Sequence, residues 1–271
     1  MLSRRGFTLV EIMLATSTML IVSGAVYQLL VTTQRLSRMQ AAQLGVQTNV
    51  RGAVLAVLNE LRELSSIEGG GGAQNDVLST APDAMIYRAM RGTGFTCQPG
   101  GETDVRISRS SFSGHREPQA GRDSAWLYLV AAPETDPAWI PAAITSVSTA
   151  VPCPGVAGEG ITLTVSPIAG LAGAPSGTPV RFYEIMELRL YQSEGRSWLG
   201  TRSISSGESI QPLFGPLTKP DGFRLAYRDA SGGPANNPEA IKTIEVTVRG
   251  TGDGIPSFEL IGQVALRNAW P

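Results

Sequence analysis

The residue with the clearest chemical consequence is a single glutamate, Glu11, near the start of a long apolar stretch. Between Arg5 and Arg35 it is the only charged side chain. An ionised carboxylate at the centre of a bilayer costs roughly 2.5–3.5 kcal/mol, so acids within membranes usually have a partner or lie near the interface. Glu11 therefore needs a partner of opposite charge or a place near the membrane surface.

The apolar stretch itself, from Phe7 to Val31, has about the ~20 residues that an α-helix needs to cross a bilayer. A cleaved secretory signal fits poorly, because its apolar region is ~7–15 residues long and ends at a small-x-small cleavage site. The far end here, from Tyr27 to Gln34, contains no Ala-x-Ala. A plain single-pass anchor is the stronger alternative, but such an anchor has no use for Glu11 inside the hydrocarbon.

The residues at the start of this stretch resemble a known signal. They read Arg4-Arg5-Gly6-Phe7-Thr8-Leu9-Val10-Glu11. This is similar to the processing signal of type IV prepilins, with a basic leader, a glycine, a phenylalanine and a glutamate. The resemblance implies that a prepilin peptidase cuts between Gly6 and Phe7 and methylates the new amino terminus at Phe7. It also implies that Glu11 pairs with the Phe7 amine of a neighbouring subunit, a contact that offsets the desolvation of both charges only at close approach.

Charges beside the apolar stretch indicate its orientation. Arg4 and Arg5 precede it, which favours a cytoplasmic amino terminus. Arg35 and Arg38 at the far end compete with them, and the prepilin resemblance places the large C-terminal part outside. We therefore expect a single-pass inner-membrane protein with a periplasmic head, which later enters a pilus or pseudopilus and as a tip subunit reaches the cell surface.

The two cysteines are compatible with a periplasmic head. Cys97 and Cys153 could form a disulfide there, because such bonds persist in that compartment. The bridge would close a loop of about 57 residues and stabilise the fold by roughly 3–4.5 kcal/mol in the chain-entropy model. We predict this disulfide, with two independent buried thiols as the alternative.

The sequence gives no support for catalysis. It has no Gly-x-Ser-x-Gly, Cys-x-x-Cys or His-Glu-x-x-His motif, and the lone His115 leaves any triad incomplete. We predict a protein that is not an enzyme, without catalytic residues or cofactor. Pseudopilins sometimes bind calcium, and one oxygen-rich segment contains Asp229, Asn236, Asn237 and Glu239. Its spacing does not match an EF-hand, so a polar turn is favoured and no metal site is predicted.

Overall charge argues against a nucleic-acid binder. The chain has 22 Lys and Arg against 23 Asp and Glu, whereas dedicated nucleic-acid binders normally show a basic excess. One stretch is mildly basic and contains Arg88, Arg91, Arg106, Arg109, Arg116 and Arg122, together with His115. No aromatic pattern for base stacking extends beyond Phe95 and Phe112, so a solvated loop is favoured over a phosphate-binding face.

One long helix must position Glu11. Beyond the membrane stretch, apolar residues recur at three- and four-residue steps on one face: Leu36, Met39, Val46, Val50, Val54, Val57, Leu61 and Leu64. No proline interrupts the chain from Phe7 to Ala81, so a helix of about 58 residues, roughly 87 Å long, is predicted. It ends at the glycine run at 69–72, which cannot continue a helix.

The chain is thus predicted to have four parts. They are a cleaved leader at 1–6, a transmembrane or filament-core helix at 7–34, an amphipathic continuation at 35–66, and a periplasmic β-rich head at 67–271.

Strand patterns dominate the second half of the chain. The predicted strands are 126–131, 161–166, 180–191, 197–204, 223–228, 241–249 and 258–267. Residues 85–90 are read as a short strand or a turn, and the proline-rich region between 131 and 161 as mostly loop. A long helix followed by sequential strands predicts an α+β fold of the type IV pilin kind, with a C-terminal antiparallel sheet packed on the helix.

The C-terminal half narrows the resemblance. Its segments, in order, are Leu188-Arg189-Leu190-Tyr191, Trp198-Leu199-Gly200-Thr201-Arg202, Phe223-Arg224-Leu225-Ala226-Tyr227-Arg228-Asp229, Ile241 to Val248 and Val264-Ala265-Leu266-Arg267-Asn268. Together they resemble minor pilins of the PilW type and J-type pseudopilins of type II secretion systems. Residues 73–176 have no counterpart in this comparison.

The resemblance implies a minor pilin that primes assembly of a type IV pilus, as used for twitching motility, or caps its tip. A J-type pseudopilin for protein secretion is one alternative, and an adhesin or DNA-uptake tip subunit with its ligand surface in 73–176 is another. The implied partners are other minor pilins or pseudopilins, the major pilin, the prepilin peptidase and the inner-membrane assembly platform. The membrane holds the subunit before assembly, and nucleic acid is not an expected partner.

Overall fold

The structure is a computed structural model that describes residues 6–66, 75–99, 101–130, 136–148, 152–154, 159–252 and 254–267. Within these residues it contains one α-helix and thirteen β-strands: α1 Leu9–Arg62, β1 Val77–Thr80, β2 Ala84–Pro99, β3 Asp104–Ser108, β4 Ser113–Gly114, β5 Asp123–Leu129, β6 Ala138–Ser148, β7 Gly160–Val165, β8 Pro179–Ser193, β9 Arg196–Ser203, β10 Gln211–Leu217, β11 Phe223–Arg228, β12 Thr243–Gly252 and β13 Ile255–Ala265. The predicted α+β class is confirmed.

Helix α1 is a single uninterrupted element of 54 residues, about 81 Å long at 1.5 Å per residue. Thr8 has an extended backbone and caps its first turn. The helix ends at Arg62, earlier than predicted, and the glycine run at 69–72 lies outside the described residues.

Only the last part of α1 packs on the head. Its buried residues are Val50, Ala53, Val54, Val57 and Leu61, with the partly buried Val46 at the start. The predicted apolar face begins earlier, yet Leu36 and Met39 are 55% and 51% exposed. The docking segment is therefore shorter than the sequence predicts, because the helix meets the sheet only near Val46.

Two glycines let α1 approach the sheet closely. A Cβ atom on Gly250 of β12 would lie 2.5 Å from Val50 Cγ2, and one on Gly262 of β13 would lie 2.6 Å from Leu58 Cδ1. A larger residue at either position would displace the helix from the close-packed core.

Two long strands, β2 and β8, form the spine of the head. They pair antiparallel from Ala84 opposite Arg189 to Phe95 opposite Pro179. The β8–β9 hairpin turns at Glu194 and Gly195, which both have positive φ as a two-residue turn requires. The sequence predicts this hairpin correctly.

One half of the spine belongs to a sheet that covers α1. In this sheet β9, β10, β12 and β11 follow β8, and β13 pairs with β12. The core between sheet and helix includes Met85, Tyr87, Met186, Leu188, Leu199, Phe223, Ile244 and Val246. This half matches the predicted antiparallel sheet, although β10 is not predicted because Pro212, Gly215 and Pro216 interrupt its pattern.

The other half of the spine belongs to a closed barrel. The neighbour order β2-β3-β7-β6-β5-β8 returns to β2, so six strands close on themselves. Its interior contains Val105, Ile107, Leu127, Ile144, Ile161, Leu163, Leu171, Val180 and Phe182. The barrel accounts for most of the described part of 73–176, the region without a counterpart in the sequence comparison.

Two loop predictions are wrong in part in this half. The basic stretch lies partly on β2 and β3, and the proline-rich region contains β6. At Pro141, β6 is paired with β5 only. Its pairing with β7, on the other side, begins at Ile144. A missing N–H can be accommodated at a position with one neighbour, so proline does not end the strand there.

Asp76 joins the end of α1 to the sheet. Its N–H donates to Ser65 O at 2.9 Å, its Oδ2 accepts from Ser65 N–H at 2.7 Å, and its carbonyl accepts from Arg88 N–H at 2.7 Å. The residue is 1% exposed, and burial raises the pKa of its carboxyl to about 7 despite the Ser65 hydrogen bond and the nearby Arg88 and Arg181. This linkage holds the chain in place just after the helix ends.

The raised pKa of Asp76 predicts a loss of stability as pH rises. The folded protein holds the proton more tightly than the unfolded chain, so the free energy of unfolding should fall as pH rises from about 4 to about 7. We expect Asp76→Asn, which keeps an acceptor for Ser65, to reduce the difference in urea midpoint between pH 5 and pH 8, measured on the full chain in detergent. Asp229→Asn, at an exposed turn, should leave that difference unchanged. Equal pH dependence of wild type and Asp76→Asn would contradict the assignment.

Candidate functional site

The predicted processing and assembly residues lie together at the start of α1. Gly6, Phe7 and Thr8 are not helical, and Phe7 is 85% exposed. The Gly6–Phe7 peptide bond is thus accessible in a short segment ahead of the helix. Arg4 and Arg5, the basic residues of the predicted leader, lie outside the described residues.

Glu11 and Thr8 form a capping box at the helix start. Thr8 N and Thr8 Oγ1 each donate to Glu11 Oε2 at 2.9 Å, and Glu11 N–H donates to Thr8 Oγ1 at 3.3 Å. The helix dipole also favours a negative charge in this first turn. Among the described residues, Thr8 supplies every hydrogen bond to the Glu11 carboxylate, and both of these bonds reach Oε2.

The helix surface around Glu11 is apolar and uncovered. Large apolar side chains from Phe7 to Val31 are between 40% and 85% exposed. Five hydroxyls in this half donate to carbonyls one turn earlier, so they need no outside partner: Thr16, Ser17, Thr18, Thr32 and Thr33. By length and composition, α1 could cross a membrane. The described part of the head does not cover this surface, and an exposed apolar surface of this size is typical of a membrane or protein contact.

Cys97 and Cys153 form a disulfide, with their Cα atoms 5.7 Å apart. It joins β2 to the segment before β7, two elements of the barrel region. The predicted bridge is therefore present in the structure, and neither sulfur is available as a thiol nucleophile or metal ligand.

The oxygen-rich segment considered for calcium forms turns. Asp229 Oδ1 accepts from the N–H of Ser231 at 2.9 Å and of Gly233 at 3.0 Å, while Asn237 Oδ1 accepts from Ala240 N–H at 2.8 Å. The Ser231 hydroxyl, followed by backbone N–H groups, lowers the pKa of Asp229. In the described part of the chain, no cluster of three or more His, Cys, Asp and Glu side chains could hold a metal.

The basic stretch is engaged in ion pairs. Arg109 contacts Glu117 and lies 2.7 Å from Glu159, and three further arginines of the stretch pair with buried or half-buried carboxylates. His115 is exposed and donates its backbone N–H to Arg91 O at 3.1 Å. Arg91, Arg116 and Arg122 therefore belong to an internal charge cluster, whereas the ion pairs of Arg109 are exposed.

The centre of that cluster is Glu184, which the sequence reading does not single out. Its side chain is 1% exposed and accepts from Arg91 Nε at 2.9 Å, Arg122 Nε at 2.6 Å and Arg116 Nη2 at 3.2 Å. Arg91, Arg116 and Arg122 come from β2 and from the segment that leads into β5. One feature of the sequence could have indicated its role, because Glu184 interrupts an otherwise apolar face of the predicted strand.

Three further carboxylates surround the arginines. Arg116 also contacts the fully buried Asp123, Arg122 lies 2.8 Å from Glu208, and Arg91 lies 3.3 Å from Glu60 on α1. Each arginine therefore has two acidic neighbours. Through these contacts the cluster connects the helix, the barrel and the β9–β10 loop.

The arginines keep Glu184 ionised. Burial alone would raise the pKa of its carboxyl, but the hydrogen bonds from Ser203 and Arg91 and the charges of Arg91 and Arg122 lower it below the ordinary value. On β8, Glu184 lies between Phe182 of the barrel core and Met186 of the helix core. The charge cluster thus marks the boundary between two apolar cores.

Comparisons of the chain with protein-family models, with curated protein sequences and with solved structures found no match.

Removing the charge of Glu184 should destabilise the head. We expect Glu184→Gln to lower the free energy of unfolding at pH 7 by about 2–4 kcal/mol, near the lower end for broken buried pairs because each arginine keeps a second carboxylate. Since the folded pKa is lowered, the difference from wild type should stay constant from pH 8 to pH 5. It should shrink only as the pH falls below the ordinary value of 4.5. Urea denaturation of the full chain checks this, with Glu194→Gln in the exposed turn as the control. A variant as stable as wild type would show that the cluster has no stabilising role.

Proposed function

We propose that this chain is a non-enzymatic minor pilin of the PilW type, which primes or caps a type IV pilus. It is inserted in the inner membrane with its head in the periplasm, cut between Gly6 and Phe7, and methylated at Phe7. The observation that carries the proposal is Glu11, the only charge in an apolar helix surface that the head leaves uncovered. The prepilin-like sequence around it supplies the specific resemblance.

The geometry at the helix start is compatible with an assembly role for Glu11. Its Oε2 is held by Thr8, while Oε1 has no partner among the described residues. The amine of Phe7 from a neighbouring subunit is a cation of suitable size and charge for that free oxygen. Because an isolated charge in hydrocarbon is costly, this pairing would reward one stagger of adjacent helices over others.

The size of the head supports a minor rather than a repeating subunit. Sheet, barrel and disulfide together make a head larger than a shaft subunit needs. In a shaft, the heads of all neighbouring copies would have to pack side by side. A position at the tip, or in a small priming complex, removes that restriction. The partners in this proposal are other minor pilins, the major pilin, the prepilin peptidase and the assembly platform.

The basic stretch does not favour a DNA-uptake role. Four of its arginines, Arg91, Arg109, Arg116 and Arg122, are paired with carboxylates, which leaves less positive charge for phosphates. The J-type pseudopilin differs from the minor pilin in its partners, so a gene deletion scored for twitching, secretion and transformation separates the alternatives. Loss of secretion alone would overturn the pilus assignment.

Processing is the first test of the proposal. We expect the protein isolated from its native host to begin at Phe7 with a methylated amine, as measured by mass spectrometry of the intact chain and its N-terminal peptide. Gly6→Leu should leave an uncut precursor in the membrane, because a bulky side chain would occupy the cleavage position. A wild-type protein that keeps its first six residues would reduce the chain to an ordinary membrane-tethered domain.

The role of Glu11 gives the second test. We expect Glu11→Val to be inserted and cut normally but to enter sheared filaments at a level at least about tenfold lower, as expected for loss of a pairing worth ~1.4 kcal/mol or more. Thr18→Val, which removes a polar group from the same helix without changing charge, should assemble like wild type. Quantitative immunoblots of filament and membrane fractions measure both. Undiminished incorporation of Glu11→Val would exclude the pairing.

A further inference from the structure

Strand β13, Ile255–Ala265, forms an open edge of the helix-covering sheet. It pairs with β12 on one side, from Thr243 opposite Ala265 to Gly252 opposite Ile255. On its other side, no described residue forms a backbone hydrogen bond with it. An edge of eleven residues spans about 36 Å at 3.3 Å per residue, which is long enough to bind a full additional strand.

This edge lacks most features that normally prevent strand addition. It contains no lysine and no inward charge, and Pro256 lies at its very beginning. The carboxylate of Glu259 is held by Arg249, whose Nε lies 2.8 Å away. Ile261 is 55% exposed on the face away from the helix. The middle of β13 is therefore open both in its backbone and in its apolar side chains.

A stripe of helix residues runs beside the same edge. Leu58 is next to Gly262, and the Arg51 guanidinium lies 5.9 Å from the centre of the Phe258 ring. Leu55 is four residues after Arg51 and three before Leu58, so it belongs to the same stripe. It is 61% exposed. An added strand would place its helix-side residues against this leucine.

The stripe has a positive charge at each end. Arg51 and Arg62 are both exposed, and neither forms an ion pair or hydrogen bond with a described carboxylate. By contrast, each arginine around Glu184 has two acidic neighbours. Arg51 and Arg62 are about 16 Å apart along the helix at 1.5 Å per residue.

We propose that this edge binds an extended segment of a different protein, which adds a strand to β13. Residues on one face of a strand repeat about every 6.6 Å, so a pattern of acid, any residue, aliphatic residue, any residue, acid spans about 13 Å. That length places two carboxylates near Arg51 and Arg62 and the aliphatic side chain near Leu55. The intervening residues face Ile261 and should be apolar.

A second copy of this chain is not a suitable occupant. Along α1, Arg51 lies at Phe258, Leu58 at Gly262 and Leu64 at Arg267, so β13 and the helix run in the same direction. Two β13 strands paired antiparallel would therefore point their helices in opposite directions, which a shared membrane forbids. Such a pair would also bring four arginines of the two stripes together. The inference does not depend on the pilus assignment; it uses the proposed membrane anchor only to exclude a second copy.

The test uses the full chain in detergent and a fluorescein-labelled peptide, Thr-Thr-Asp-Val-Leu-Val-Asp-Thr-Thr. We expect saturable binding by fluorescence anisotropy and slower amide hydrogen exchange at residues 255–265. Replacing both aspartates of the peptide by lysine should weaken binding at least about tenfold, and N-methylation of alternate backbone amides should abolish it. Binding that survives N-methylation would mean simple charge attraction and would overturn strand addition.

Charge reversal on the protein gives the matching test. The double variant Arg51→Glu with Arg62→Glu should lose the preference for the aspartate peptide and prefer the lysine peptide, whereas Arg224→Glu on β11 should behave like wild type. Circular dichroism melting checks that the variants fold. If the double variant does not fold, Ile261→Asp, which leaves the helix unchanged, should also weaken binding of the aspartate peptide. No binding up to ~1 mM peptide, or equal affinity for both peptides, would overturn the proposal.

Discussion

The continuity of α1 between two environments constrains the rest of the structure. Its last part supplies one side of one of the head's two apolar cores, from Val50 to Leu61, so that core is incomplete without the helix. Its first part presents an apolar surface that the head does not cover. A helix satisfies its own backbone hydrogen bonds, and five threonine and serine hydroxyls of this half also bond within the helix. Among the described residues only Thr8 contacts the Glu11 carboxylate, and none covers the apolar surface around it.

The head must also hold two apolar cores on one pair of strands. Even-numbered residues of β8 face the barrel up to Phe182 and the helix from Met186 onward, with Glu184 between them. A shift of β8 by two residues would preserve the alternation but would place Phe182 or Met186 among three guanidinium groups. An apolar residue there would leave those charges uncompensated. The buried cluster therefore favours one register of β8, which the alternation of its apolar residues alone would not specify.

The elements with a strong local pattern could be predicted from the sequence, and those specified by distant contacts could not. Helix α1, the β8–β9 hairpin and β11 follow from periodicity and turn residues. Strand β2 is weak in propensity because Gly92 and Gly94 interrupt it, yet a Cβ atom on Gly92 would lie 2.8 Å from the Phe112 ring. Close packing, not strand propensity, requires glycine there. The sequence likewise predicts that Arg116 and Arg122 are solvated, because their partner Glu184 lies more than 60 residues further along the chain.

The predicted processing and assembly residues at the helix start lie in one short segment, so their prediction needs no knowledge of the fold. The structure adds that Thr8 holds one oxygen of Glu11, and this contact follows from a spacing of three residues. By contrast, the open edge of β13 and its arginine stripe depend on how helix and sheet meet, so no linear motif marks them. These two surfaces also differ in the force that they use. Apolar helix surface gives strong but unselective attraction, whereas an edge with fixed charges discriminates between partners. A protein that joins an assembly through the first surface can therefore choose its neighbours through the second.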